Sequence, residues 1–123
     1  MSVIVRDDGF HAEDFTGTPV DLAPDTAPDQ LAQLTSGADL VRIAFPAFSD
    51  GRGFTLARRL RDLGYAGRLR AAGHVIADQY AMARRSGFDE VEISADLAAR
   101  QPAAQWASRA DWAAGDYRAR MKG

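Results

Sequence analysis

The loop Asp50-Gly51-Arg52-Gly53 places two glycines, an arginine and an acid directly before a predicted helix. Free backbone N–H groups at a helix N-terminus favour an anion, and an arginine can bind an oxyanion through two parallel hydrogen bonds. The loop therefore predicts a site for a small anion. The alternative is a tight turn that needs glycine, with Asp50 capping the helix. The loop matches neither a P-loop nor G-x-G-x-x-G, so no nucleotide is predicted.

Further polar side chains follow the next predicted strand. His74 comes directly after it, and Asp78 and Gln79 follow a few residues later. Because neighbouring parallel strands end at one edge of a sheet, we expect these residues beside the Asp50–Gly53 loop. His74 there is either a general base or anion ligand, or a hydrogen-bonded structural histidine. Since there is no cysteine and His11 is far away in the sequence, no metal site is predicted.

A strand–helix pattern that repeats three times must position these loops. The predicted strands are Leu40–Phe45, Leu69–Ala72 and Glu90–Ile93. Apolar residues spaced three or four apart predict a helix after each strand. Strands joined by single helices pair in parallel with right-handed crossovers. The predicted fold class is therefore α/β, with a small, mainly parallel sheet of three βα units, either open or part of a (β/α) barrel.

The residues before this body predict an N-terminal extension. Val3–Arg6 and Phe10-His11 flank Asp7-Asp8-Gly9, a strong β-hairpin signal. Thr16–Pro28 contains three prolines and little periodicity, so we expect an irregular connection. We predict a single domain over residues 1–123, divided into the extension (1–38), the body (39–116) and a basic tail (117–123).

One face of the predicted sheet is polar. Arg42, Arg70 and Glu92 alternate with apolar neighbours in the three strands, so they are expected side by side. This face is either solvated or covered in an oligomer and held by ion pairs, or it is the polar pocket of a partial barrel. If the loop binds an anion, Arg42 and Arg70 are expected to approach it from the polar face and to make that end of the sheet electropositive. Because the sheet edges need cover, a homo-oligomer is predicted.

The composition excludes several classes of protein. The 123 residues are 46% hydrophobic and 26% charged, with a net charge of −2 and no cysteine. No disulfide framework, thiol nucleophile or thiolate-bound metal is available, and a cytoplasmic location is expected. Charged residues follow soon after the N-terminus and no apolar run is long enough to cross a membrane, so neither a signal peptide nor a membrane partner is predicted.

Arginines crowd two predicted helices and the strand between them: Arg58, Arg59, Arg61, Arg68, Arg70, Arg84 and Arg85. Recognition of nucleic acid needs exposed aromatic residues or a known binding motif beside such charge, and neither is present. Nucleic acid is therefore not predicted. The cluster is either a solvated helix face or a docking surface for an acidic protein.

Several short motifs occur in order between residues 38 and 93. They are Phe45-Pro46-Ala47-Phe48-Ser49-Asp50-Gly51-Arg52-Gly53-Phe54, Gly73-His74-Val75, Asp78-Gln79 and Gly87-Phe88-Asp89. Together they resemble the domain of unknown function 934 family, whose bacterial members are typically encoded beside assimilatory sulfite reductase. The residues that match the family motif in the site are Asp50, Gly51, Arg52, Gly53, Arg70, Asp78 and Gln79. The resemblance supplies no catalytic residues, and it implies that acidic residues also occur at position 74, which argues against His74 as an essential base.

Three hypotheses of function follow. The preferred one is an accessory protein of assimilatory sulfite reduction that docks to the reductase or its electron donor. The alternative is an enzyme or sensor that binds a small oxyanion at the strand C-terminal loops, and the third is an oligomeric scaffold. An oxidoreductase in the strict sense needs a redox centre, and the sequence has no cysteine, iron–sulfur motif or dinucleotide fingerprint, so no cofactor is predicted.

Overall fold

The structure, a computed structural model, describes residues 2–112. Its strands are β1 (Ser2–Arg6), β2 (Gly9–His11), β3 (Val20–Leu22), β4 (Leu40–Phe45), β5 (Arg68–Gly73) and β6 (Glu90–Ser94). Its α-helices are α1 (Leu31–Leu34), α2 (Arg52–Asp62), α3 (Tyr80–Ser86), α4 (Ala95–Arg100) and α5 (Ala103–Ala107). Short 3₁₀ turns at Pro28–Gln30 and Ala77–Gln79 precede α1 and α3. The predicted basic tail, 117–123, lies outside the described residues.

The six strands form one sheet in the order β2-β1-β6-β5-β4-β3. The α/β class is confirmed, but the sheet is mixed rather than mainly parallel. Strands β3 to β6 pair in parallel, whereas β1 pairs antiparallel with both β2 and β6. The hairpin joins the sheet because β1 continues its apolar face, with Val3 opposite Ile93 and Val5 opposite Val91.

Strand β3 forms within the stretch that the sequence predicts to be irregular, so that prediction is wrong there. Val20 pairs with Val41 and Leu22 with Ile43, and Leu22 is buried. Two alternating apolar residues are too short a pattern to outweigh the neighbouring prolines in a sequence-based prediction, and the strand is stabilised by pairing with β4. The sheet now ends in two strands of three residues each, β2 and β3. The homo-oligomer stays a prediction.

The helices pack against the apolar face of the sheet. Phe45, at the end of β4, lies at the centre of this core, with its ring 5.0 Å from that of Phe54 and 5.8 Å from that of Phe88. Trp106 of α5 is fully buried and donates its indole N–H to the Gln101 carbonyl at 2.9 Å. The other face of the sheet carries charged side chains. None of the helices within residues 2–112 is long and apolar enough to span a bilayer.

Candidate functional site

The predicted anion loop lies at the C-terminal end of β4 and leads into α2, which begins at Arg52. Gly53 is required by packing, because a Cβ at this position would lie 2.5 Å from the Phe45 ring. The first turn of α2 therefore lies directly against the end of β4. This is the placement that the strand–helix pattern predicts.

The Arg52 guanidinium is bound by an acid of its own loop. Asp50 accepts hydrogen bonds from Nε of Arg52 at 2.9 Å and from Nη2 at 2.7 Å. Its Oδ1 also accepts one from the Arg52 backbone N–H at 3.2 Å. The guanidinium holds the pKa of Asp50 below its usual value. An oxyanion that binds Arg52 through Nε and Nη2 must therefore displace Asp50, and at the remaining edge it meets a guanidinium whose charge Asp50 already neutralises.

His74 and Gln79 connect the loop after β5 to the loop after β4, and Asp78 does not. We call the place where these two loops meet the corner. The His74 backbone N–H donates to the Phe45 carbonyl at 2.8 Å, and its ring meets the Phe48 ring edge-on at 5.2 Å. Gln79 donates to the Phe48 carbonyl at 2.8 Å. Asp78 is exposed and pairs instead with Arg109 at 2.6 Å.

A cavity of about 120 Å³ opens at this corner. Its lining residues are Phe48, Gly73, His74, Ser94, Leu97 and Arg100. Ser94 caps α4 by accepting the Leu97 backbone N–H at 3.1 Å. Arg100, the last residue of α4, supplies the cation of this cavity, a position that nothing in the spacing of the sequence indicates.

The polar sheet face forms as predicted, with Arg42, Arg70 and Glu92 side by side. Arg70 Nη1 donates to Glu92 Oε1 at 2.8 Å, and Arg42 Nη1 lies 3.4 Å from the same oxygen. The two arginines are neighbours in register on β4 and β5. Arg42 also donates twice to Asp21 of β3, at 2.7 and 3.0 Å.

Two further arginines extend this surface, which we call the arginine face: Arg6, Arg42, Arg68 and Arg70. Glu90 lies among them with a side chain only 2% exposed. It accepts from Arg70 Nε at 2.6 Å, from Arg68 Nη2 at 2.8 Å and from Arg6 Nε at 3.1 Å. The Arg70 side chain itself is 0% exposed. Burial alone would lower the pKa of Arg70, but the carboxylates around it outweigh burial and raise it.

The segment Ala12–Thr18, which we call the strap, runs across the arginine face. Glu13 accepts two hydrogen bonds from Arg70, from Nη1 and Nη2, both at 2.7 Å. Asp14 accepts from Arg6 and from Arg68, both at 2.9 Å, and the Phe15 ring centre lies 5.7 Å from the Arg68 guanidinium carbon. Hydrogen bonds from Arg70 lower the pKa of Glu13 to about 2, and those from Arg6 and Arg68 lower that of Asp14 to about 2.

This arrangement corrects one expectation. Arg70 does not add positive charge to the corner, because three carboxylates, those of Glu13, Glu90 and Glu92, surround its guanidinium. The sequence could not indicate this because Glu13 comes from the extension, far from Arg70 along the chain. Arg70 and Arg42 belong to the arginine face, and the anion loop is a separate place in the fold.

The helix arginines also divide into two groups. Arg61 donates to the carbonyls of Tyr65, Gly67 and Gly87, and Arg84 pairs with Asp7. By contrast, Arg58, Arg59 and Arg85 are exposed and make no ion pair among the described residues. We call Arg58 and Arg85, with the exposed Met82, the basic helix face; Asp62 lies in the same groove as the two arginines.

Arg58 and Arg85 line a groove of about 140 Å³ between α2 and α3.

The sequence match that identifies the chain runs from residue 19 to residue 121 and is to a family described as "Bacterial protein of unknown function (DUF934)". The chain belongs to this family. No curated protein and no solved structure matches it with significant similarity.

The DUF934 match includes the anion loop, the basic helix face and most of the arginine face. The strap and the hairpin precede residue 19 and lie outside it. Within residues 2–112 no group of three or more His, Cys, Asp or Glu side chains is arranged to hold a metal ion.

Proposed function

We propose that this DUF934 protein is an accessory protein of assimilatory sulfite reduction that docks to the reductase or its electron donor. The place in sulfite reduction rests on the gene neighbourhood typical of the family that the chain resembles. The docking role rests on the basic helix face.

The observation that carries the docking role is the contrast between two sets of arginines. Arg6, Arg42, Arg68 and Arg70 are neutralised by carboxylates of the same chain. Arg58, Arg59 and Arg85 have no such partner within residues 2–112, although the chain as a whole is slightly acidic. Apart from Nε of Arg85, which donates to the Trp112 carbonyl at 3.1 Å, their guanidinium donors make no hydrogen bond within residues 2–112 and are free for carboxylates of another protein.

The surroundings of these arginines also fit a protein partner. Met82, half exposed on α3, lies one helical turn before Arg85. An adaptable apolar side chain beside arginines is typical of the residues that interfaces enrich. We therefore expect a partner surface with carboxylates around a small apolar patch, and association that weakens as salt is added.

The experiment measures binding of the purified protein to sulfite reductase and, separately, to its electron donor by biolayer interferometry. We expect one of them to bind, and Arg58→Glu/Arg85→Glu to weaken that binding by about tenfold or more. Arg100→Glu makes the same kind of charge reversal on another surface and is the matched control, expected to bind like wild type. Failure of both proteins to bind at low salt, or equal loss in the control, contradicts the proposal.

The alternative function is binding of a small oxyanion at the strand C-terminal loops. The observation that favours it is the cavity lined by His74 and Arg100 at this corner. Arg100 has no carboxylate within ion-pair distance among the described residues, whereas Arg52 is held by Asp50. Arg100, rather than Arg52, is therefore the cation that we assign to such a ligand.

A further inference from the structure

The strap is attached to the sheet by side chains. No backbone–backbone hydrogen bond joins any residue of Ala12–Thr18 to the rest of residues 2–112. Its attachment consists of the ion pairs of Glu13 and Asp14 and the contact of Phe15 with Arg68. A segment held in this way can leave without breaking any part of the sheet.

The arginine beneath the strap is held in an orientation suited to a carboxylate ligand. The Nε side of Arg70 is fixed by Glu90, which belongs to the sheet. The outer edge, Nη1 and Nη2, faces the strap and receives the two oxygens of Glu13 at equal distances of 2.7 Å. A guanidinium group with its Nε side fixed and its two Nη atoms directed outwards is preorganised to bind a carboxylate through two hydrogen bonds.

We propose that the arginine face is a binding site for an acidic segment of a partner protein, and that the strap closes it as an internal ligand. The residues Glu13-Asp14-Phe15 indicate the chemistry of the occupant, two adjacent carboxylates followed by an aromatic ring. This site lies on the opposite side of the sheet from the helices and does not rest on the proposed docking through the basic helix face.

The charge balance of the face supports an exchangeable ligand. With the strap in place four arginines face five carboxylates, of which Glu13 and Asp14 belong to the strap. When the strap leaves, four arginines face three carboxylates, and the fully buried Arg70 loses its outer partner. The side chains of Glu13 and Asp14 are 42% and 52% exposed, so another acidic segment can approach the arginines that they bind. An ionic cover of this kind can be replaced by carboxylates of a partner.

The structure also leaves room for the incoming segment. A cavity of about 630 Å³ lies beside the strap, at the side of the hairpin. Its lining residues are Ser2, Val3, Phe10, His11, Ala12, Glu13 and Glu92. Because Glu13 forms part of its wall, a partner segment can reach the Glu13–Arg70 contact while the strap is still in place.

The first experiment observes release of the strap in the full-length chain. Because the chain has no cysteine, Thr16→Cys provides a single position in the strap for an environment-sensitive fluorophore. We add a synthetic peptide, His-Ala-Glu-Asp-Phe-Thr-Gly, that copies residues 11–17, and expect a saturable change in fluorescence. The same peptide with Gln and Asn in place of Glu and Asp is the control and is expected to have no effect.

The second experiment removes the internal ligand. A tethered strap competes at an effective concentration in the millimolar range, so Glu13→Gln/Asp14→Asn is expected to bind the acidic peptide at least about tenfold more tightly than wild type. Arg68→Gln in that background is expected to weaken binding again. The proposal is overturned if neither wild type nor the double variant binds the acidic peptide, or if the double variant fails to fold. Strap release by sulfate and not by the peptide also contradicts it.

Discussion

Glu13 and Arg70 are 57 residues apart in the sequence and are joined by two hydrogen bonds of 2.7 Å. This contact links the first irregular segment of the chain to the centre of the sheet. The extension is therefore integrated into the domain through β1 and β3 in the sheet and through the strap above it. The consequences for stability differ between the two carboxylates that bind Arg70 most closely.

Replacing Glu90 is expected to destabilise the fold far more than replacing Glu13. Glu90 is buried and accepts hydrogen bonds from three arginines, so Glu90→Gln removes the buried charge that all three share and is expected to cost about 3–5 kcal/mol, although each arginine keeps another carboxylate. Glu13 has a side chain that is 42% exposed, and Arg70 keeps two other carboxylates when Glu13 is removed. Glu13→Gln is therefore expected to lower the free energy of unfolding by only about 1 kcal/mol.

Urea denaturation measures both values in one experiment. Asp78→Asn is the control, since the side chains of the Asp78–Arg109 pair are 72% and 44% exposed and its removal should leave the midpoint nearly unchanged. Equal losses for the Glu13 and Glu90 variants would show that the strap is as essential to the fold as the buried carboxylate.

We expect the strap carboxylates to make the free energy of unfolding depend on pH only in the acid range. The pKa of Glu13 is lowered from 4.5 to about 2 and that of Asp14 from 3.8 to about 2, because both accept hydrogen bonds from arginines. A depressed pKa in the folded state means that their contribution is complete above the unfolded pKa and is lost as pH falls through the folded pKa. The loss is therefore expected between about pH 4.5 and pH 2, with no change from these groups near neutrality.

Unfolding curves of wild type and Glu13→Gln/Asp14→Asn, recorded from neutral pH down to about pH 2, test this. The difference in stability between the two proteins should be constant near neutrality and shrink towards zero at the acid end. A difference that stays constant down to the lowest pH would mean that the two carboxylates are not ionised ligands of the arginines.

The sequence predicts those features that depend on local periodicity. Alternation along three strands placed Arg42, Arg70 and Glu92 on one face, and the structure confirms it, because the period of a strand requires no information from elsewhere in the chain. The pairing of Arg70 with Glu13 could not be predicted, since the strap has no repeating pattern. β3 was missed for a related reason, as a strand of three residues is stabilised by its neighbour rather than by its own sequence.

Gly73 is expected to tolerate a side chain less well than Gly64. Both have a positive φ, +121° and +96°, which already strains any other residue. At Gly73 a Cβ would also lie 2.6 Å from the Phe45 carbonyl oxygen, whereas at Gly64 nothing lies within 4 Å. We expect Gly64→Ala to lower the free energy of unfolding by about 1–2 kcal/mol and Gly73→Ala by at least about 1 kcal/mol more.

Thermal and urea unfolding of the two variants provide the comparison. The Phe45 carbonyl also accepts the backbone N–H of His74 at 2.8 Å, so Gly73→Ala should disturb the corner as well as the fold. A change in the NMR shifts of Phe48 and Gln79, which are not neighbours of residue 73 in the sequence, in Gly73→Ala but not in Gly64→Ala would show this. Similar losses in both variants would mean that β4 moves away from the added methyl group without penalty.

The alternative function predicts which arginine an oxyanion uses. Hydrogen bonds from an arginine to an anion contribute roughly 1.5–3 kcal/mol, so Arg100→Ala should weaken sulfite or sulfate binding by about tenfold or more. Arg52→Ala should weaken binding much less, because the Nε–Nη2 edge of Arg52 is already bound by Asp50, whose carboxylate neutralises the guanidinium. Calorimetric titration of each anion into wild type and the two variants distinguishes the possibilities. Loss of binding in Arg52→Ala would assign the site to the loop, with Asp50 displaced by the ligand. No heat with wild type at millimolar anion would reject oxyanion binding at this corner, and docking through the basic helix face, which involves neither residue, would stand unaffected.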